Sequence, residues 1–122
     1  MKYEFFNSKI QGIGCRSTQD IKKGEIVGRE PYFLISNDLY KDIFKDYVWN
    51  GNFVNLNNSL LINGLGNWCN HSDNNNLNLK KDTDNKFILF IANKNIKKGE
   101  ELFNNYGSNW WKNRNIQKKY IR

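Results

Sequence analysis

One pentapeptide occurs twice, once near each end of the chain: Ile21-Lys22-Lys23-Gly24-Glu25 and Ile96-Lys97-Lys98-Gly99-Glu100. In each copy an apolar residue precedes a Lys-Lys-Gly turn and a short apolar run follows the Glu, the pattern of a turn that feeds a strand. A solenoid needs at least about three units at a fixed period, so two copies exclude one. Two unrelated turns in a lysine-rich chain would read the same way. Either way the chain must be built from short strands and tight turns. The runs YEFF (3–6), PYFLI (31–35) and KFILFIA (86–92) suit that, being rich in β-branched and aromatic residues. One internal stretch, NDLYKDIFKDYVW (37–49), carries Leu39, Ile43, Phe44 and Tyr47 as an apolar stripe at helical spacing, with Ser36 or Asn37 as its cap. A second helix is expected from about Asn109. The predicted fold class is mostly β, of several short sheets with one or two short helices, the Gly and Asn residues lying in the loops.

At 122 residues and 14.5 kDa the chain is expected to form one domain over 1–122, large enough to bury roughly two-thirds of its unfolded surface. It has a single Pro and no Ser/Pro/Gly linker that would mark a boundary. Two cysteines and one histidine are too few for a disulfide framework and cannot complete a four-ligand zinc site, so no metal is expected and the compartment reads as reducing. No apolar run approaches the ~20 residues of a membrane span, and MKYEFFNSKI lacks the apolar core of a signal peptide. A soluble, intracellular chain with no membrane partner is expected. The formal charge of +7 is spread over most of the sequence. Its one concentration is a basic tail from about residue 112, with Lys112, Arg114, Lys118, Lys119 and Arg122. That tail reads either as a solvated end or as a weak nucleic-acid contact.

Residues that could carry chemistry fall in four stretches. Gly12-Ile13-Gly14 lets backbone amides and carbonyls approach a ligand closely, but lacks the third glycine and helix of a dinucleotide site. The run GLGNWCNHSDNNN (64–76) holds the only histidine, next to Asn70 and two residues after Cys69. Nothing nearby orients Cys69 and His71 as a nucleophilic dyad. EELFNNYG (100–107) and the pair Trp110-Trp111 complete the set. Trp68 reads as a core residue.

Taken in order, these stretches resemble the SET domain of protein lysine methyltransferases, most of all the minimal, free-standing form found in viruses. GIGCRSTQDIKKGEIV is similar to the family's opening Gly-x-Gly, strand and Gly-Glu turn. GLGNWCNHSDNNN is similar to its Asn-His-Ser motif with a further Asn, here Asn76. IKKGEELFNNYG followed by Trp resembles its closing motif, and DYVWNGN (46–52) resembles the stretch that lends an aromatic residue to the substrate channel.

The resemblance implies a β-clip fold with a C-terminal pseudoknot, in which the Tyr-Gly segment passes under a loop near the Asn-His-Ser motif. It implies S-adenosylmethionine as methyl donor, held by Gly12, Ile13, Gly14, Asn70 and His71, and Tyr106 as the catalytic residue. The asparagines after Ser72 would turn the chain away. Tyr47 would wall the lysine channel. Asn104 stands where many relatives carry a Phe or Tyr that helps set how many methyl groups are added, so mono-, di- and trimethylation all remain open. No cysteine follows Cys69, so the family's zinc segment after the catalytic motif is missing. One of Trp110 and Trp111 is therefore expected to cover the cofactor while the other packs on the domain; burial of both as an anchor for the tail is the alternative. Asp38, Asp42 and Asp46 recur every fourth residue and would form an acidic stripe on the expected helix. That stripe either guides a basic peptide or pairs with Lys41 and Lys45.

The implied function is S-adenosylmethionine-dependent protein-lysine N-methylation, with a histone tail as first substrate and other lysine proteins close behind; ELFNNYG is also similar to SET enzymes that act on non-histone proteins. The alternative is a non-catalytic SET domain that binds peptide or chromatin. A homodimer is considered for so small a chain, and the host nucleus as its place if it is viral.

Overall fold

The computed structural model describes residues 1–36, 48–50, 58–82 and 86–106. Among them the strands are β1 (Tyr3–Asn7), β2 (Ile13–Ser17), β3 (Ile26–Ser36), β4 (Val48–Asn50), β5 (Asn58–Ile62), β6 (Asn70–His71), β7 (Leu77–Lys81), β8 (Phe87–Ala92) and β9 (Glu101–Asn104). One short helix, α1 (Leu65–Trp68), lies between β5 and β6. The expected mostly-β class therefore holds. Two sheets carry it, in the orders β1-β2-β9-β6 and β4-β5-β3-β8-β7.

The expected strands at YEFF and PYFLI lie within β1 and β3, and KFILFIA matches β8 save for Lys86, which stands just before it. β8 alternates as its pattern requires, with Ile88, Phe90 and Ala92 buried and the residues between them partly exposed. β3 is long enough to serve two neighbours, pairing with β8 through Pro31 and with β5 from Tyr32 onward. Pro31, which has no N–H to donate, sits at that handover. The helix expected over 37–49 does not extend to its last two positions. Val48 and Trp49 are strand, paired with Leu61 and Leu60 of β5. Pairing with a neighbouring strand outweighs the local helical spacing of so short a segment. Residues 37–47 of that expected helix lie outside the described residues, as does the one from Asn109.

The repeated pentapeptide turns out to be one structure. Ile21 and Ile96 pair through reciprocal N–H···O bonds of 2.7 and 2.8 Å. Gly24 N–H reaches Ala92 O while Ala92 N–H reaches Glu25 O; in the other copy Gly99 N–H reaches Ser17 O while Ser17 N–H reaches Glu100 O. Each turn is also capped by the residue before its partner. Asn95 Oδ1 accepts from Lys23 N–H and Asp20 Oδ1 from Lys98 N–H, both at 2.9 Å. Gly24 and Gly99 have φ of 92° and 88°, the left-handed backbone that the third position of a type II turn demands. The two copies thus form a clasp with local two-fold symmetry. It fixes the start of β3 and the start of β9 to each other.

Core residues from both sheets and the helix meet at Cys15, Leu60, Ile62, Leu65, Ile88, Phe90 and Leu102, all fully buried. A buried carboxylate anchors α1 from below: Glu30 accepts from Tyr3 Oη at 3.1 Å on each oxygen and from Leu65 N–H at 3.3 Å. Burial raises the Glu30 pKa, with the two donors only partly offsetting it. Burial and the adjacent carboxylate push the Tyr3 hydroxyl up as well, so it remains a donor.

A folded-state pKa raised above the unfolded value means that Glu30's contribution is full in acid and is lost as pH rises through the folded pKa. Glu30→Gln removes that loss. Its denaturation midpoint should therefore gain on that of the parent protein between about pH 4 and about pH 7. A parent that gains on the variant over this interval would show that the folded protein does not raise the Glu30 pKa.

Candidate active site

The site forms where the two chain segments with Asn-His and Asn-Asn-Tyr run side by side. β6 and β9 are parallel, with Asn70 opposite Phe103 and His71 opposite Asn104, and Ser72 N–H continues the ladder to Asn104 O at 3.0 Å. On its other side β9 pairs with β2 through Cys15 and Arg16. The last described strand is thus inserted between two earlier segments, the crossing that a pseudoknot needs.

β6 is only two residues long, and the amide of Asn76 extends it. Asn76 Nδ2 donates to Glu101 O at 2.9 Å, and Asn76 Oδ1 accepts from Phe103 N–H at 2.8 Å. One side chain so replaces a strand partner across two residues of β9. The other asparagines close the loop: Asn74 N–H donates to Ser72 Oγ, and Asn75 Nδ2 donates to Leu77 O. The expectation that these residues merely turn the chain omits what Asn76 does.

His71 is 1% exposed, beneath Tyr106. Tyr106 N–H points at His71 Nδ1 from 2.8 Å, and a backbone amide can only donate. Nδ1 is therefore the acceptor and Nε2 carries the proton, which it gives to Asp73 Oδ1 at 2.8 Å. The two rings lie 5.1 Å apart at a tilt of 55°. From that anchor the Tyr106 side chain reaches the residue before β6, its hydroxyl donating to Cys69 O at 2.7 Å. Tyr106 is thus tied to the Cys69–His71 segment through its backbone N–H, its ring and its hydroxyl.

Asn70 faces the Gly-x-Gly segment. Its Nδ2 lies 3.1 Å from Gln11 O, 3.2 Å from Ser8 Oγ and 2.9 Å from Glu101 Oε2. Gly14 is buried where these groups converge, and a Cβ there would stand 2.8 Å from Glu101 Oε2 and 3.2 Å from Asn70 Nδ2. Glycine is required by that close approach. Beyond Gly12 the space is open among the described residues, for an added Cβ would meet none of them within 4 Å, and Ile13 is 41% exposed.

Over residues 12–107 the chain matches the SET domain family. The chain belongs to the SET-domain family. It is similar to a candidate histone methyltransferase of Plasmodium falciparum, at 32% identity over 90% of this chain and 96% of that one, with a TM-score of 0.75. It is also similar to a chain of the ctPRC2 complex solved with H3K27me3 and H3K27M, at 27% identity and a TM-score of 0.70. That match covers 88% of this chain and 14% of the other. No curated protein matches.

Of the residues expected at the site, this SET domain brings Gly12, Ile13, Gly14, Asn70, His71, Asn104 and Tyr106 to one end of the β2-β9-β6 sheet. Asn104 is fully buried, its Nδ2 donating to Leu65 O at 3.0 Å beneath α1. Tyr47, Asp38, Asp42, Asp46, Trp110 and Trp111 lie outside the described residues, as does the basic tail. Trp68 is not core: it is 45% exposed, edge-on to Phe5 with ring centroids 6.3 Å apart. Cys69 is no nucleophile. Its thiol is buried beside Cys15, and burial first, then that neighbour, pushes its pKa well up. Reading the sequence missed Ser8 and Glu101, whose only local sign is polarity, and the Cys69 carbonyl, which no side-chain pattern can announce. Among the described residues no cluster of His, Cys, Asp and Glu could hold a metal ion, and no helix is long and apolar enough to cross a membrane.

Asn76→Ala leaves Glu101 O and Phe103 N–H without partners inside the protein, a cost on the order of 2–4 kcal/mol. The melting temperature should fall well below that of Lys80→Ala, a change on the exposed face of β7. Equal melting of the two variants would deny Asn76 its strand-replacing role.

Proposed function

We propose that this SET domain is an S-adenosylmethionine-dependent protein-lysine N-methyltransferase whose first substrate is a histone tail. Family membership and the similarity to a candidate histone methyltransferase support methyl transfer. The PRC2 neighbour, solved with modified histone H3, favours a histone over another lysine protein.

The observation that carries the reading is the fixed phenol of Tyr106. Its proton is committed to Cys69 O, so the oxygen is left as an acceptor. Such an oxygen can take an N–H from an incoming amine and turn the nitrogen lone pair toward its target. It orients the amine without acting as a base. Holding two reactants in a near-attack geometry is worth on the order of 7–11 kcal/mol, so alignment is the larger part of the task. The amine must arrive neutral, and desolvation of a lysine in an apolar channel lowers its pKa in that direction.

S-adenosylmethionine, when bound, supplies a methyl group on a cationic sulfur. The residues present suit it. Among the described residues the Asn70 amide oxygen has no partner, Gln11 to Ile13 offer backbone beside open space, and no metal ligand is needed. Asn70 and the 11–14 loop would hold it, while His71 fixes the turn that carries Tyr106.

Incubation with labelled S-adenosylmethionine and histones, followed by mass spectrometry, should reveal methyl mass on a lysine. Label found only on non-histone lysates would keep the chemistry and change the substrate; no label on any protein would leave a binding module. Tyr106→Phe should keep the fold and cofactor binding, since the ring still covers His71, yet lose turnover on the order of 10²-fold, about 2.7 kcal/mol of positioning. Unchanged turnover would remove Tyr106 from the mechanism.

A further inference from the structure

Glu101 belongs to the β9 strand that leads to Tyr106, but its side chain turns toward the other end of the site. There its carboxylate accepts from Ser8 Oγ at 2.8 and 3.0 Å and from Asn70 Nδ2 at 2.9 Å. Ser8 Oγ in turn accepts from Ile10 N–H at 2.9 Å. The hydroxyl proton is spent on Glu101, so toward Asn70 the serine oxygen is an acceptor too. Asn70 consequently faces three acceptors on one side: a carboxylate, a hydroxyl oxygen and the Gln11 carbonyl.

An asparagine amide has two ends of nearly equal shape and opposite polarity. Here the surroundings choose between them. Turned the other way, Oδ1 would meet the carboxylate and the carbonyl at contact distance, and no donor would be there to compensate. Nδ2 must point inward, and Oδ1 is left as the uncommitted end, with no donor among the described residues upon it.

We infer that Glu101 is a positioning residue: its carboxylate, seconded by Ser8, locks the polarity of the Asn70 amide so that Oδ1 is presented to a donor group of the methyl donor, its α-ammonium. This rests on the proposed function, which makes Asn70 part of the S-adenosylmethionine site. The same carboxylate ties three separate segments together: the loop before Gly12, the Asn-His strand and the strand of Tyr106. It also accounts for Gly14, since a side chain there would displace the carboxylate from both partners.

The test compares two ligands that share the thioadenosine part, S-adenosylhomocysteine with its α-ammonium and 5′-methylthioadenosine without it. Calorimetry on the full chain and on Glu101→Gln gives four affinities. Loss of a charge-assisted bond that fixes the amide should weaken S-adenosylhomocysteine on the order of tenfold while 5′-methylthioadenosine changes by no more than about twofold. In turnover, KM for S-adenosylmethionine should rise more than kcat falls. Equal weakening of both ligands, or of neither, overturns the positioning role. A parent protein that binds neither ligand overturns the proposed function instead. A second measurement needs no variant. In the parent protein the Asn70 side-chain amide protons should exchange slowly in NMR, held by a carboxylate and a carbonyl; exchange as fast as that of the exposed Asn78 amide overturns the inference even if Glu101→Gln fails to fold.

Discussion

Strand β9 is gripped from both sides, and the rest of the site depends on that grip. On one flank it pairs with β2, and on the other with a two-residue strand lengthened by the Asn76 amide. A strand entering the middle of a sheet must find a partner for each buried N–H and C=O on both edges. Cys15 and Arg16 meet one edge; Asn70, His71 and Asn76 meet the other. Because both edges are taken, the backbone of β9 has one register, and the chain leaving it delivers Tyr106 to one place.

The clasp of the two pentapeptides sets where that strand begins. Ile21 and Ile96 bond each other, and each turn borrows a cap from the residue before the other turn. Neither turn is complete alone. The arrangement joins a contact near the start of the chain to one near its end, so the loop between them must close before the clasp rewards it. Shared caps make the closure cooperative, since losing either turn strips polar partners from both.

Two carboxylates that position the site and its supporting helix, Glu30 and Glu101, are met by neutral donors. Glu30 takes a phenol and a backbone amide, and Glu101 takes a hydroxyl and a side-chain amide. Neither has a lysine or arginine on it among the described residues. In such settings the carboxylate fixes the orientation of its donors, because it can only accept while ionised. The same logic decides the His71 tautomer, where the fixed group is a backbone N–H. Tyr106 and Asn70, the two side chains nearest the proposed chemistry, thus have their hydrogen-bond polarity set from outside. Preorganised dipoles of this kind need no rearrangement when substrate arrives.

The sequence by itself determined the mostly-β class, the turns at Gly24 and Gly99 and the strands at 3–6, 31–35 and 86–92, because alternation and positive-φ glycine are local properties. It also determined the family, through the order of motifs at 12–14, 70–72 and 100–107. Only the tertiary structure decided that the two pentapeptides bond each other, that Val48 and Trp49 are strand, that Trp68 lies at the surface and that Asn104 lies within. It alone revealed Ser8, Glu101 and the Cys69 carbonyl around Asn70 and Tyr106. Each of these depends on a partner distant in the sequence, beyond the reach of local pattern, or on a backbone atom that every residue possesses. Side-chain identity carries no record of such a partner until the chain has closed on itself.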